Sequence, residues 1–186
     1  MKKNVGPQLA LYPMPTTVIG AMNGGEPTWT LVAHVGIIGH DHVLVSLAAN
    51  HFINSRIKES KKLSINIVVE DFLPAADYVG SVSGSKTSKA NVFPYTLGES
   101  GAPMIDASPV TMECTVEDIY ETPGFESFIC TIDGTYVDED CLTDKEKVDY
   151  RKVKPVLFEF PTYEFLITGD VLGKCLSFKA NYREEG

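Results

Sequence analysis

The sequence predicts a mainly β fold with short helices, of the barrel or sandwich type. Short apolar runs rich in β-branched and aromatic residues follow one another closely, and turns that contain glycine and proline separate them. Only two short stretches have the spacing of apolar residues that is typical of a helix. A length of 186 residues fits one domain that spans residues 1–186. We expect roughly ten residues at its start and roughly eight at its end to be peripheral.

The first two strands are predicted on either side of a glycine turn. Residues 16–22 (TTVIGAM) form a β-rich run, residues 23–25 (NGG) signal a turn, and residues 29–36 (WTLVAHVG) form the second run. The second strand alternates imperfectly, so we expect both of its faces to contact other parts of the protein. His40 and His42 follow in a connection that could suggest a metal site. No cysteine or carboxylate cluster accompanies them, so a polar loop is favoured.

The stretch VLVSLAANHFINSRIKESKKLSIN is the most informative part of the chain. An apolar strand at residues 43–47 is followed by residues 48–50 (AAN), a helix at about 51–60 and a further strand at 63–68. We predict Asn50 as the helix N-cap. A helix that begins behind small and polar residues offers a pocket for an anion, because its free amides and the positive end of its dipole point there. The alternative is a packed helix whose cations simply suit its C-terminal end.

A second short helix is predicted after Val69, with Asp71 as its cap and its end near Gly80. The loop that follows, residues 83–89 (SGSKTSK), is small, hydroxylic and basic. It is either a flexible loop or a phosphate clamp in which hydroxyl groups and Lys89 donate hydrogen bonds to an anion.

The second half of the chain is predicted to be rich in strands. Residues 94–109 contain several prolines and glycines and are expected to be irregular. Residues 110–119 and 128–137 are predicted to pair as antiparallel strands through a turn at 122–124. An acidic loop follows, and after it come short apolar runs and a partly apolar tail.

Charge and composition narrow the function. The net charge of −9 argues against nucleic-acid binding. Residues 54–89, however, carry six lysines and arginines against four acidic residues, which suits a small anionic ligand. The start of the chain lacks the apolar run of a signal peptide, no window is apolar enough for a membrane span, and the four cysteines show no CxxC spacing. We therefore expect a cytoplasmic protein with reduced thiols and no membrane partner.

No catalytic motif is evident in the sequence. It contains no GxGxxG motif after a strand, no Walker A loop and no GxSxG nucleophile elbow. No side chain is recognisable as a nucleophile, general base or metal ligand, so no catalytic residue is assigned. An enzyme of this kind would take its chemistry from a cofactor.

In their order and spacing, these stretches make the sequence resemble the flavin reductase-like, flavoredoxin-type FMN-binding split-barrel family. The resemblance covers residues 11–178 and is carried by the segments YPMPTTVIGA, TWTLVAHVG, LVSLAANHFINSRIKESKKLSINI, DYVGSVSGSKTSK, APMIDASPVTMECTVEDI, YVDED and YEFLITGDVLGK. It implies a split β-barrel of the Greek-key type and a homodimer with FMN near the subunit interface. It also implies transfer of hydride or electrons through that flavin.

The resemblance further implies which residues bind FMN, grouped here by the part of the cofactor. Those expected along the isoalloxazine ring are Thr28, Thr30, Ala33 and His34, with Tyr163 as a cover. Those expected to present backbone groups to the flavin tail are Ala48, Ala49 and Asn50. Those expected at or beside the phosphate are Asn54, Ser55 and Lys89. Trp29 points the other way if the strand alternates, and it is expected in the core.

Two positions depart from the family pattern. Ser88 stands before Lys89, where the family usually has an acidic residue. Residues 124–127 (GFES) lack the histidine that the flavoredoxin branch carries there, whereas His34 stands where that branch often has an aromatic residue. These departures concern substrate specificity and reduction potential more than FMN binding.

Three functions are compatible with these expectations. The first is an FMN-dependent oxidoreductase in which NAD(P)H or another reduced donor supplies electrons to the flavin and an unidentified acceptor removes them. The second is an FMN-binding electron-transfer module without nicotinamide-dependent activity. The third is a barrel that has lost the flavin and serves as a structural or small-ligand module.

Overall fold

The computed structural model describes residues 1–178 and confirms a mainly β protein. Its strands are β1 (Met14–Pro15), β2 (Thr17–Asn23), β3 (Glu26–Val32), β4 (Val35–Ile37), β5 (His42–Ala48), β6 (Lys62–Ile67), β7 (Tyr95–Leu97), β8 (Pro103–Ile105), β9 (Val110–Thr122), β10 (Phe125–Val137), β11 (Leu157–Glu159) and β12 (Glu164–Leu166). Its α-helices are α1 (Phe52–Ser60), α2 (Leu73–Ser81) and α3 (Tyr150–Val153). Single 3₁₀ turns cover Glu70–Phe72 and Glu139–Cys141.

A seven-stranded antiparallel sheet forms the body of the protein, in the order β3-β2-β6-β9-β10-β5-β4. The β2–β3 hairpin lies at one edge and the β4–β5 hairpin at the other, and the long β9–β10 hairpin joins the two halves. The turn between β2 and β3 consists of Gly24 and Gly25, whose φ angles of 61° and 99° favour glycine. A three-stranded sheet of β1, β11 and β12 and a β7–β8 hairpin complete the fold.

The large sheet is buried on both faces at β2. Ile19 points into one apolar core, which α1 covers with Ile57. Val18 and Trp29 lie in a second core on the opposite face, which α2 covers with Val79. Trp29 is fully buried, as expected from alternation along its strand. Burial of each large apolar side chain contributes about 1.5–3 kcal/mol relative to exposure, so both helices are held mainly by these contacts.

Asn66 on β6 links three neighbouring strands through a buried side chain. Its Nδ2 donates to the carbonyl of Val18 at 3.0 Å and to the hydroxyl of Ser64 at 3.0 Å. Its Oδ1 accepts from the amide of Ile105 at 2.8 Å and from the hydroxyl of Thr111 at 3.0 Å. Because all four hydrogen-bonding positions are used, the buried amide avoids the cost of an unpaired polar group and fixes β6 in register.

The second predicted strand is interrupted in the structure. β3 ends at Val32 and β4 begins at Val35, so Ala33 and His34 lie in the break. The cause is a change of partner: β3 pairs with β2, whereas β4 pairs with β5 at the opposite edge of the sheet. The sheet curls, so its two edges lie close enough for these two residues, which span at most roughly 11 Å, to make the crossing.

Neither predicted helix cap is confirmed. His51 is the N-cap of α1 and makes no side-chain cap, whereas Asn50 lies in the preceding turn. The amide of His51 donates to the carbonyl of Ala48 at 2.9 Å, so the turn closes one residue later than predicted. Asp71 lies inside a 3₁₀ turn, and Phe72 precedes α2 instead. This extra turn displaces the start of the second helix.

In the second half of the chain, the strand boundaries also differ from those predicted. The segment expected to be irregular contains the β7–β8 hairpin, and β9 and β10 extend further than predicted, to a two-residue turn at Pro123 and Gly124. Residues 1–11 are exposed. Residues 179–186, the predicted C-terminal periphery, lie outside the described residues. Within residues 1–178, no helix is long and apolar enough to cross a membrane.

Candidate functional site

A pocket of about 260 Å³ lies where the N-terminal end of α1 faces the end of α2. Residues 50–53, with the first turn of α1, form one wall, and residues 80–84 form the opposite wall. Residues 28–30 of β3 form a third side, and Lys89 reaches the pocket from the loop after α2. The first turn of α1 contains no acidic residue, so its free amides and the helix dipole give this wall a positive potential.

Lys89 is the principal charged group of the pocket, and only 5% of it is exposed. Its Nζ donates to the carbonyl of Trp29 at 3.0 Å and to the carbonyl of Val79 at 2.6 Å. A lysine ammonium has three protons, and within the described residues the third has no protein acceptor. Burial lowers the pKa of Lys89. The two carbonyls therefore fix a cation in the wall with one donor left for an anion.

Thr28 and Thr30 flank Trp29 on β3 and line the pocket. They are 4% and 7% exposed, and the alternation that buries the indole in the core turns the two threonines to the other side. Among the described residues, neither hydroxyl group has a hydrogen-bond partner. Both are thus available to a ligand as donors or acceptors.

The remaining lining keeps the pocket free of negative charge. Among the described residues that line it there is no aspartate or glutamate, and its titratable side chains are Lys89 and His51. Burial, and then the charge of Lys89, lower the pKa of His51. An acid-free pocket that combines an ammonium, hydroxyl groups and helix amides matches the acceptor oxygens of a phosphate.

Two glycines allow the walls to approach closely. A Cβ at Gly84 would stand 2.9 Å from Cδ1 of Phe52, and a Cβ at Gly80 would stand 2.8 Å from Cβ of Leu31. Real Cβ atoms do not come so close, so any larger residue would displace the side chain of Phe52 or of Leu31. The glycines thus set the width of the pocket.

Two residues expected at the phosphate lie beside the pocket and not in its lining. Asn54 is 3% exposed, and its Nδ2 donates to the carbonyl of Ala48 at 3.0 Å and to Oε2 of Glu126 at 2.8 Å. Ser55 is exposed, and its hydroxyl donates to the carbonyl of Phe52 at 2.9 Å. In this arrangement both side chains donate within the protein, and Asn54 secures the turn that carries the pocket wall.

A group of rings forms a second feature at the same end of the sheet. We call it the aromatic cluster, and its members are Tyr12, His34, Phe125, Phe158, Phe160 and Tyr163. The rings of Phe160 and Tyr163 have centroids 4.8 Å apart, and Tyr12 stacks on Phe160 with an interplanar angle of 15°. Phe125, Phe160 and Tyr163 are nevertheless 38%, 42% and 68% exposed. A cluster of this size at the surface offers a stacking face for a planar ligand.

The turn at residues 48–51 lies between the pocket and the aromatic cluster. Phe125 of the cluster pairs with Ala48 across β10 and β5, and Asn50 lines the pocket two residues later. The amide of Ala49 donates to the carbonyl of Gly124 at 2.9 Å and locks the turn to the β9–β10 hairpin. Along the other side, Thr30 in the pocket and His34 in the cluster are four residues apart, which is at most roughly 13 Å of chain.

The structure separates the residues that were expected along the isoalloxazine ring into two groups. Thr28 and Thr30 lie in the pocket, His34 and Tyr163 lie in the aromatic cluster, and Ala33 is half-buried in the break that joins them. The two features together suit a ligand with a phosphate at one end and a planar ring at the other.

Comparison with known proteins identifies the family. Residues 9–160 match the family described as "Flavin reductase like domain". The chain belongs to the flavin reductase-like family. Flavoredoxin from Methanosarcina acetivorans is 28% identical, with a TM-score of 0.92 over 98% of this chain and 100% of that chain. Flavoredoxin of Desulfovibrio vulgaris (Miyazaki F) is 30% identical, with a TM-score of 0.87 over 95% of this chain and 98% of that chain.

A more distant protein shares the fold. An FMN-binding protein from Thermus thermophilus is 15% identical, with a TM-score of 0.79 over 94% of this chain and 99% of that chain. No curated protein sequence matches the chain. The predicted family and fold are confirmed: the curled seven-stranded sheet is the split β-barrel of the flavin reductase-like family, and the protein is a flavin-related oxidoreductase.

Several residues of this flavin reductase-like site were not anticipated from the sequence. His51 and Gly84 line the pocket, and Tyr12, Phe125 and Phe160 build the aromatic cluster. His51 could have been found, because it directly follows the predicted cap. Tyr12 and Phe160 carry no local signal, since only the pairing of β1 with β11 brings the two ends of the chain together.

Proposed function

We propose that this protein is an FMN-dependent oxidoreductase that transfers hydride or electrons from NAD(P)H, through FMN, to an acceptor. The observation that carries the proposal is the acid-free pocket in which Lys89 holds one unused donor. The aromatic cluster at the same end of the sheet supports it, because a flavin mononucleotide combines a phosphate with a large planar ring. FMN, when bound, would supply the redox chemistry.

The residues present fit that cofactor in distinct roles. Lys89, the hydroxyl groups of Thr28 and Thr30, and the first-turn amides of α1 would hold the phosphate. The aromatic cluster would orient the ring and shield one of its faces from water. The pocket of about 260 Å³ is small for a ligand site, which suits a phosphate end and favours FMN over FAD, although some members of the family use FAD.

The absorption spectrum of the purified protein, before and after anaerobic mixing with NADH and NADPH, tests the proposal. We expect flavin absorption in the visible range and bleaching by at least one nicotinamide. A flavin-loaded protein that dithionite bleaches and neither nicotinamide bleaches would instead be an electron-transfer module. A colourless protein that does not quench added FMN would have no flavin function.

We also propose a homodimer located in the cytoplasm. The C-terminal segment exposes apolar side chains, with Ile167 80%, Val171 66% and Leu172 92% exposed. A second copy of the chain is the proposed cover for them. All cysteines of the described residues are free, which suits a reducing compartment.

A further inference from the structure

His34 is the one member of the aromatic cluster with a basic ring nitrogen. Its Nε2 lies 2.8 Å from the hydroxyl of Tyr12. The imidazole centroid lies 6.0 Å from the ring of Phe125 and 6.3 Å from the ring of Phe160. Its backbone carbonyl accepts from the amide of Ser46 at 2.9 Å, so the residue is fixed at both ends.

We propose that His34, held by Tyr12, takes up a proton when the flavin is reduced and thereby raises the reduction potential of the bound flavin. The inference rests on the proposed function. With FMN bound, a nicotinamide would deliver two electrons and one proton to the site, which would add one negative charge there. One proton from solvent then adds to Nε2 of His34, the nitrogen that accepts from Tyr12 while the imidazole is neutral. The charge of the site is thus unchanged overall, and the imidazolium stabilises the reduced ring.

Tyr12 suits this role because a phenol hydroxyl serves both protonation states of its partner. It donates to Nε2 of neutral His34, and it accepts from the same nitrogen once His34 is protonated. Burial, and then the neighbouring Tyr163, raise the pKa of Tyr12, so the hydroxyl keeps its proton. The hydrogen bond therefore persists through the change, and the imidazole does not have to move.

Neighbouring carboxylates are already engaged elsewhere. Glu126, next to Phe125 on β10, is paired with Nζ of Lys58 at 2.5 Å. Glu159, next to Phe160 at the end of β11, accepts from the amide of Thr162 at 2.8 Å. The phenol of Tyr12 is hydrogen-bonded to His34, and the ring of Tyr163 packs on Phe160 in the same cluster. Glu126 is neutralised by Lys58, whereas Glu159 and Glu164 have neutral donors and keep their charges in both redox states. The negative charge on the reduced flavin is therefore the change to which His34 responds.

The test is the dependence of the flavin reduction potential on pH in FMN-loaded protein. In the wild type, the slope of potential against pH should double over the window in which His34 takes up its proton, because two protons then accompany two electrons. His34→Phe keeps an aromatic ring and should show the single slope throughout. Tyr12→Phe should keep the doubled slope and move the window along the pH axis.

A second measurement follows the imidazole itself. NMR of ring-labelled histidine should show His34 neutral in the oxidised protein and protonated in the reduced protein at the same pH within that window. His42→Gln is the matched control, because His42 is held by Asp41 at 2.6 Å at the surface. The reduction potential of this variant should depend on pH as that of the wild type does.

The outcomes separate the two proposals. The role of His34 alone is overturned if FMN binds normally and the reduction potentials of wild type and His34→Phe depend on pH in the same way. It is also overturned if the imidazole of His34 does not respond to reduction. Failure of the wild type to bind FMN overturns the proposed function and this inference together. If His34→Phe does not fold, the NMR measurement on wild type decides the matter.

Discussion

Lys89 and Glu113 show two opposite ways of holding a charge inside this protein. Lys89 donates to two carbonyl groups and keeps a third donor for the pocket. Glu113, 1% exposed, accepts from the hydroxyl of Ser100 at 2.6 Å and from the hydroxyl of Tyr136 at 2.8 Å, and backbone amides complete its partners. The ammonium of Lys89 therefore has a hydrogen-bond donor left for a ligand. The carboxylate of Glu113 has all its partners within the fold and secures the loop before β8.

Replacing Lys89 by methionine should weaken FMN binding by about 1.5–3 kcal/mol, the value typical of a hydrogen bond to a charged group. This corresponds to a loss of affinity of roughly 10- to 150-fold, which quenching of FMN fluorescence would measure. The matched control is Lys86→Met, since Lys86 is exposed in the same loop and does not line the pocket. An equal loss in both variants would mean that only the general charge of the loop matters.

The pH dependence of FMN affinity provides an independent check on Lys89. Burial lowers its pKa, so the ammonium loses its proton at a lower pH than the ordinary value of 10.5. Affinity should be full below the lowered pKa and should fall as the pH rises through it. Lys89→Met should lack this alkaline decline. A wild-type affinity that stays constant up to the ordinary pKa of lysine would contradict the placement of the ammonium at the phosphate.

Replacing Glu113 by glutamine should destabilise the protein by about 1–3 kcal/mol at neutral pH, because an amide NH₂ would then face the donors of Ser100 and Tyr136. Burial acts to raise the pKa of Glu113, but these hydrogen bonds outweigh it and hold the pKa below the ordinary value of 4.5. The stabilisation is thus present above that value and is lost as the pH falls through the lower, folded pKa.

Urea unfolding over a range of pH measures this effect. The difference in stability between wild type and Glu113→Gln should be constant above pH 4.5 and should shrink below it. Glu121→Gln is the control, because Glu121 is exposed near the end of β9 and should show little difference at any pH. A difference that grows on acidification would refute the assigned sign.

Among the secondary-structure elements, β2 depends most on a small residue. Gly20 pairs with Trp29 on β3 and with Ser64 on β6, so it has a neighbouring strand on each side. A Cβ there would overlap Cζ3 of the indole and would stand 2.7 Å from the hydroxyl of Ser64. The missing side chain is what allows Trp29 to lie flat across β2 and close the second core.

Gly20→Ala should therefore destabilise the protein by about 1–3 kcal/mol, the usual cost of overpacking a buried site. Chemical denaturation with tryptophan fluorescence as the signal would report both the stability and the environment of Trp29. Gly36→Ala on β4 is the control, because a Cβ at Gly36 meets nothing within 4 Å. Equal stability of the two variants would show that the indole moves aside without cost.

Across the whole molecule, turns that local sequence signals specify could be predicted, whereas strand pairings between distant segments could not. The β2–β3 and β9–β10 turns could be predicted because glycine at positive φ is a local requirement, met by Gly24, Gly25 and Gly124. The pairing of β1 with β11 could not, because no short-range pattern specifies which edge a two-residue strand joins. The pocket was partly predictable, whereas the aromatic cluster depends on that distant pairing and was only hinted at by His34 and Tyr163.

Assembly of two chains should depend on the exposed C-terminal segment. If a second copy covers the exposed C-terminal segment, sedimentation should show a particle of two chains. Leu172→Ser should then raise the dimer dissociation constant roughly 150- to 25,000-fold, because each dimer loses two buried leucines that contribute about 1.5–3 kcal/mol each. Leu97→Ser is the control, since Leu97 is 51% exposed on the small β7–β8 hairpin and is not part of that segment. A monomeric wild type at micromolar concentration, or equal weakening by both substitutions, would show that the C-terminal segment is not the dimer contact.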